Sequence, residues 1–203
     1  MKHLFIVLLA LTIAGCITPS YKPQNIEVSG SYTQVDTGIT FPPSSGIFRR
    51  VQLVSFNEQA SHMYVGYNSE LIAQPITVSA YVYPAPAVTS FGSPPEVIAT
   101  ARQKLWSDHQ EQQKQEILMA HPGGQLIAEN AVTFTYRGQR VPGLRVDYEF
   151  HEPYQGEVQK ISSALYLFDL GSNVLKFRVS SPIAVDSTAP VAQLMAELVS
   201  TAP

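Results

Sequence analysis

Alternating apolar and polar residues recur along much of the chain and predict β-strands. In residues 76–83, ITVSAYVY, valines and an alanine alternate with threonine, serine and two tyrosines. This period of two, carried by β-branched and aromatic residues, is typical of a half-buried strand. Residues 48–56 and 62–68 have the same character. Three strands are therefore expected in the first half, and Pro84 and Pro86 end the third because neither can donate to a ladder.

The second half of the chain carries two hairpin patterns. Residues 131–152 alternate on both sides of a turn near Gly138, and residues 160–182 do so around a turn at residues 171–173. Such alternation around a glycine-containing turn is typical of an antiparallel hairpin. Residues 165–168 are apolar on both faces, so we expect this strand to lie inside the sheet with cover on each side.

Two segments predict helices. In residues 93–120, Ser93 is a candidate N-cap, and the sequence HPGG at residues 121–124 ends the helix. Residues 107–116 are very polar, so we expect them to face solvent and to interrupt the helix. A second helix with an apolar stripe is expected from residue 188 to the C-terminus.

The order of these elements predicts the fold class. Strands come first, then a long helix, two hairpins and a terminal helix. A sheet with two apolar faces needs a covering layer on each of them. We therefore predict an α+β fold, with a mostly antiparallel sheet of about six or seven strands flanked by a central long helix and a C-terminal helix.

The chain begins with an apolar run at residues 4–13 that follows Lys2. A positive start, about ten apolar residues and small residues at the end are the parts of a secretory signal peptide. The run is too short to span a bilayer, which takes about 20 residues. It ends just before Cys16, the single cysteine of the 203 residues.

The residues Ile13-Ala14-Gly15-Cys16 resemble the lipobox of bacterial lipoproteins. The resemblance implies cleavage between Gly15 and Cys16, a diacylglyceryl group on the thiol and an acyl chain, such as palmitate, on the new amino terminus. Residue 17 is isoleucine rather than aspartate. In a Gram-negative host this implies the outer membrane, with the protein facing the periplasm; in a Gram-positive host it implies the plasma membrane.

These patterns divide the chain into three parts. Residues 1–15 are the signal peptide, residues 16–40 the lipidated N-terminus with a flexible tether, and residues 41–203 a single globular domain. The tether interpretation rests on its polar composition and its prolines. Residues 26–35 can instead form a first strand at the edge of the sheet.

The segment SALYLFDLGSNVLKFRVSSP, residues 163–182, followed by a helix, resembles the terminal hairpin and helix of PsbP-like α-β-α sandwich proteins. It is also similar to uncharacterised bacterial envelope lipoproteins. The resemblance implies a layered sandwich that serves as a binding or assembly module, and it carries no catalytic residues.

Composition narrows the choice of partners. The formal net charge is −3, and removal of residues 1–15 takes Lys2 away and makes it 12 − 16 = −4. A nucleic-acid surface needs a basic excess, so we expect no nucleic-acid partner. With Cys16 lipidated, the domain has no disulfide, thiolate metal site or cysteine nucleophile. We expect a monomer.

No nucleotide, hydrolase or metalloprotease motif is present in the sequence. The spacing of the histidines matches no common metal pattern, so we expect no metal and no cofactor, although a histidine pair with Asp147 or Glu149 would be the alternative. The histidines in question are His62, His109, His121 and His151. Catalytic residues remain unassigned.

Two groups of residues are candidates for a binding surface. The first candidate consists of Tyr81, Tyr83 and the proline-rich loop that follows, which includes Phe91. Long proline-rich loops on a rigid scaffold often have a functional role. Half-buried positions of an ordinary sheet are the alternative. A basic patch for an acidic ligand is the second candidate; it comprises Arg137, Arg140, Arg145, Lys176 and Arg178. Cross-strand pairing with Asp147 and Glu149 is the interpretation that we favour for these cations.

Together these observations predict a lipid-anchored envelope protein whose domain binds an envelope protein or a cell-wall component without catalysing a reaction. An envelope hydrolase or transferase with an unrecognised site is the main alternative. A structural spacer, which would show no concavity or apolar patch, is a third.

Overall fold

A computed structural model describes residues 21–89 and 92–200, without the side chains of the last two. Gly15, Cys16 and Phe91, three of the residues singled out above, lie outside this part of the chain.

The described residues form eleven strands and two helices. The short strands are β1 (Gln24–Asn25), β2 (Tyr32–Thr33), β3 (Thr40–Phe41) and β4 (Ser44–Ser45). The long strands are β5 (Phe48–Ser55), β6 (Met63–Ser69), β7 (Thr77–Pro84), β8 (Gln125–Tyr136), β9 (Gln139–Tyr154), β10 (Glu157–Asp169) and β11 (Asn173–Pro182). The helices are α1 (Pro95–Ala120) and α2 (Thr188–Ser200).

The main sheet is antiparallel throughout, with the strand order β1-β5-β6-β7-β11-β10-β9-β8 and β4 also paired with β5. Strands β2 and β3 form a separate ribbon. The α+β class and the antiparallel sheet are confirmed. The predicted strand count of six or seven is too low, since the main sheet has nine strands. Its two extra strands are two residues long, too short to show a period of two.

Apolar residues cover both faces of the sheet. On one face, Ile39, Phe41 and the α2 residues Leu194 and Leu198 pack on β6, β7 and β11. On the other face, Ile117 of α1 packs on β9 and β10. Strand β10 supplies residues to both clusters and lies between β11 and β9, as its apolar sequence predicts.

Helix α1 differs from its prediction. It lies against one face of the sheet rather than at a central position, and it is continuous through residues 107–116. Gln113 and Lys114, expected to face solvent, are buried against the sheet. The Lys114 ammonium lies 2.5 Å from Glu111 and 2.9 Å from Glu129, so its charge is paired where it is covered. The helix buries polar side chains because part of the sheet face below it is polar.

The chain joins the fold earlier than the proposed tether boundary at residue 40. Strand β1 pairs with β5 at the outer edge of the sheet, and Ile39 is fully buried. The Arg50 guanidinium donates to the carbonyl oxygens of Val28, Gly30 and Phe41 at 2.6–2.8 Å. In the described part of the chain, neither helix is both long and apolar enough to cross a membrane.

Candidate functional site

Strands β6, β7 and β11 present a row of aromatic and basic side chains beside α1. Because side chains alternate along a strand, Tyr81 and Tyr83 of β7 share one face with Lys176 and Arg178 of β11. The register places Lys176 opposite Tyr81 and Arg178 opposite Ser79. We call this group, together with Tyr64, His62, His109 and Trp106, the aromatic–basic site.

Together with the neighbouring Phe56, the aromatic rings of the site form a continuous ladder from the sheet to the helix. Ring centroids are 4.8 Å apart between Phe56 and His62, 5.6 Å between His62 and Tyr83, and 5.7 Å between Tyr83 and His109. Trp106 continues the ladder, 5.7 Å from His109. The Tyr83 hydroxyl lies 2.9 Å from His109 Nε2, which fixes the two rings relative to each other.

A second aromatic pair lies under the lysine of the site. Tyr64 and Tyr81 have ring centroids 5.2 Å apart, and Lys176 Nζ is 4.9 Å from the centroid of Tyr81. This separation allows a cation–π interaction of about 0.5–1 kcal/mol. The tyrosines thus form a platform with a cation above it.

Lys176 is half-buried and is neutralised only indirectly. Its Nζ donates to Gln113 Oε1 at 2.5 Å, and Gln113 Nε2 donates to Glu116 Oε2 at 2.8 Å. Gln113 therefore stands between the cation and the nearest carboxylate. Burial lowers the pKa of Lys176 to about 8; Glu116 opposes this effect, and the charge of Arg178 adds to it.

Arg178 is half-buried and weakly bonded. Its Nη2 lies 3.5 Å from both His121 Nε2 and Ser163 Oγ, at the long limit of a hydrogen bond. Its Nε is buried and has no partner among the described residues. The hydroxyl of Tyr148, a fully buried residue, is likewise unpartnered within that part of the chain. Burial lowers the pKa of Arg178, although it remains charged.

His121 forms the floor next to Arg178. Its Nδ1 lies 2.7 Å from Glu152, and its ring stacks on Phe150 with centroids 4.0 Å apart. The carboxylate and the aromatic ring hold the imidazole in one orientation. Glu152 is therefore engaged with His121 and forms no ion pair with Arg178.

At neutral pH the site contains two cations, with the carboxylates of Glu116 and Glu152 nearby but in no ion pair with them. Burial lowers the pKa of both His62 and His109, so their imidazoles are neutral at pH 7 and leave the lysine and arginine as the cations. No carboxylate among the described residues forms an ion pair with either cation. Two half-buried cations beside half-buried aromatic rings can bind a ligand that combines an anionic group with a flat apolar face.

The structure divides the five basic residues of the predicted patch between different surfaces. Lys176 and Arg178 lie in the aromatic–basic site, whereas Arg137 and Arg145 line a cleft on the opposite side of the sheet. Arg140 is exposed near the β8–β9 turn.

The pairing predicted for these cations with Asp147 and Glu149 forms only for Arg145, and within strand β9 rather than across strands, while Glu149 pairs with Lys160 of β10. Asp147 accepts from Arg145 at 2.9 Å, and Glu149 lies 2.5 Å from Lys160. This leaves Lys176 and Arg178 without the acids assigned to them, because the register places β7 and β10, not β9, beside β11.

The remaining candidates form no catalytic or metal constellation. His151 is exposed, so the arrangement that would favour a hydrolase, His151 in a deep pocket with Glu149 or Asp147, is not formed. Across the described residues, no three histidine, cysteine, aspartate or glutamate side chains are close enough to hold a metal ion. Sequence reasoning missed Gln113, which lies in the polar middle of the helix, and considered His121 only as a possible metal ligand.

Neither the models of known protein families nor the sequences of curated proteins match this chain.

Proposed function

We propose that this chain is a lipoprotein of the bacterial envelope, anchored through Cys16, whose domain binds an anionic glycan of the cell wall at the aromatic–basic site. The observation that carries the proposal is the pair of half-buried cations, Lys176 and Arg178, which have no carboxylate partner in the described chain.

The energetics favour an anionic ligand. Burying a cation without a counter-charge costs several kcal/mol after relaxation, and a sequence can remove this cost with an apolar residue of similar volume. Lys176 and Arg178 have carboxylates nearby, Glu116 and Glu152, but neither cation forms an ion pair among the described residues, so an external anion would complete both of them. The carboxylates of peptidoglycan, on the stem peptide or on a muramic sugar without one, supply such a charge.

The aromatic rings favour a sugar over a simple inorganic anion. Sugar rings have flat faces of C–H groups that pack on aromatic side chains, and Tyr64, Tyr81 and Tyr83 offer ring surface beside the cations. A phosphate or sulfate ion would leave that surface unused. The chemistry of the site thus supports a glycan with carboxylate groups.

Binding to purified peptidoglycan sacculi tests the proposal. Tyr81→Ala should lower cosedimentation with sacculi by about tenfold, because it removes the platform under Lys176. Tyr166→Ala is the matched control: Tyr166 is also a half-buried sheet tyrosine under a cation, Arg145 at 5.5 Å, but on the other face. It should bind within twofold of the wild type. Equal binding by the wild type and Tyr81→Ala, or equal binding to neutral chitin, would contradict the proposal.

The anchor is tested separately. Seven residues lie between Cys16 and Gln24, where β1 begins, and the eight steps along this segment reach at most about 28 Å when fully extended. Metabolic labelling with palmitate should mark the wild type and leave Cys16→Ser unlabelled and in the soluble fraction. Equal labelling of the two chains would refute the anchor without bearing on the glycan site.

A further inference from the structure

The face opposite the aromatic–basic site contains a cleft of about 600 Å³ between β8 and α2. Its floor is apolar: Phe134 and Phe168 are buried, and their rings stack with centroids 4.8 Å apart. Ala192 and Met195 of α2 form one wall. The volume is typical of binding sites, which span about 300–1,000 Å³. We call this cleft the β8 groove.

The groove opens at a free edge of the sheet. Among the described residues, β8 pairs only with β9, whereas the edge at β5 is closed by β1 and β4. Thr133 and Thr135, which alternate with Val132 and Phe134, also line the groove, so it extends to the strand edge.

The free edge lacks the usual protection against strand pairing. Natural proteins protect an exposed edge with lysine, proline or a bulge. Residues 128–136 of β8 contain no proline and no basic residue, and the register shift of this strand lies before them, between Leu126 and Ala128. Their one charge, Glu129, is paired with Lys114. A row of backbone donors and acceptors is therefore available along this stretch.

The rim of the groove is positively charged at one end. Arg137 forms no ion pair with any carboxylate of the described chain, and its Nη2 donates only to a backbone oxygen, that of Thr37, at 3.0 Å. Arg145 is already paired with Asp147. Arg137 is thus the cation that a ligand in the groove would meet.

We propose that the β8 groove binds an extended peptide segment of a partner protein. The segment adds to β8 as a new strand, places an apolar side chain in the cleft and sets an acidic group beside Arg137. Pairing with a sheet edge next to side-chain pockets is a recurrent mode of peptide recognition. An acyl chain would fill the apolar floor but leave the free backbone groups of β8 unbonded, so a peptide fits both features.

A random octapeptide library displayed on phage is the probe. Selection on the wild-type protein should enrich sequences that combine β-branched residues, one large apolar residue and one acid. An enriched peptide is then synthesised, and its affinity is measured by fluorescence anisotropy. Ala192→Trp should weaken binding at least tenfold by filling the groove. Ala120→Trp, another exposed helix position, should stay within twofold of the wild type.

The same peptide with alternate amides N-methylated separates strand addition from side-chain binding alone. Two versions are made, one for each set of alternate amides, because only one set faces β8. Each keeps every side chain, and the version that loses the donors facing β8 should bind at least tenfold more weakly. The proposal is overturned if no shared sequence is enriched, if both N-methylated peptides bind as tightly as the parent peptide, or if Ala192→Trp binds normally. Occupation of the cleft by palmitate instead, or self-association of the chain through β8 in sedimentation, would also overturn it. Sacculus binding should be unaffected by Ala192→Trp, so failure here leaves the glycan site standing.

Discussion

Gly143→Ala should destabilise the fold by about 3 kcal/mol, the upper end of what overpacking a well-filled core costs. A Cβ at this position would lie 2.3 Å from a ring carbon of Phe168 and 2.6 Å from the backbone oxygen of Leu167. Phe168 is almost fully buried and stacks on Phe134, so a shift of its ring disrupts that stacking. Strand β9 pairs with β10 at this point, so the backbone contact is relieved only by separating the strands.

Urea unfolding of the purified protein measures the effect, and Gly30→Ala is the matched control. A Cβ at Gly30 would meet no atom within 4 Å, so this variant should stay within about 0.5 kcal/mol of the wild type. If Gly143→Ala and Gly30→Ala unfold at the same urea concentration, the close approach of β9 and β10 described here is wrong.

The long elements of the fold could be predicted from the sequence because each carries a clear period. Residues 76–83 alternate cleanly and form β7 one residue further along, and the turn residues Gly138 and Gly171 adopt the positive φ values that glycine permits. Strands β1 and β4 could not be predicted, because two residues carry no period. Their pairing depends on the neighbouring edge of β5, which only the folded chain provides.

The surroundings of the candidate site could be predicted only in part. Tyr81 and Tyr83 were identified from their own strand, but their partners come from register and helix packing. The alternation of acid and base in β9 suggested acid partners for Lys176 and Arg178, yet these residues lie opposite Tyr81 and Ser79. The polar middle of α1 suggested a solvent-facing segment, whereas Gln113 lies against Lys176. Local sequence does not encode these long-range pairings.

Lys176→Met should reduce cosedimentation with peptidoglycan sacculi by about 13- to 160-fold, the largest binding effect expected for a single exchange in the aromatic–basic site. A half-buried ammonium that pairs with a ligand carboxylate contributes about 1.5–3 kcal/mol. Lys104→Met is the control for loss of one charge: Lys104 is exposed and pairs with Asp108, so binding should be unchanged.

The pH dependence of binding distinguishes the charge of this lysine from its shape. Burial lowers the pKa of Lys176 to about 8, so wild-type binding should fall from about pH 7 to about pH 9 as the ammonium loses its proton. Lys176→Arg should bind over the whole range, because a guanidinium keeps its charge. A wild-type profile as flat as that of Lys176→Arg would show that the ligand does not depend on this charge.

The same pKa predicts an opposite trend for stability without ligand. In the unfolded chain Lys176 has its ordinary pKa of about 10.4, so from about pH 8 to about pH 10 the unfolded state holds more protons there than the folded state. The free energy of unfolding should therefore rise with pH in the wild type relative to Lys176→Met, by at most about 1 kcal/mol per pH unit. Parallel curves for the two proteins would mean that the lysine is solvated. With rising pH, ligand binding should thus weaken while the free energy of unfolding increases. This combination would show that the charge of Lys176 serves ligand binding and destabilises the fold.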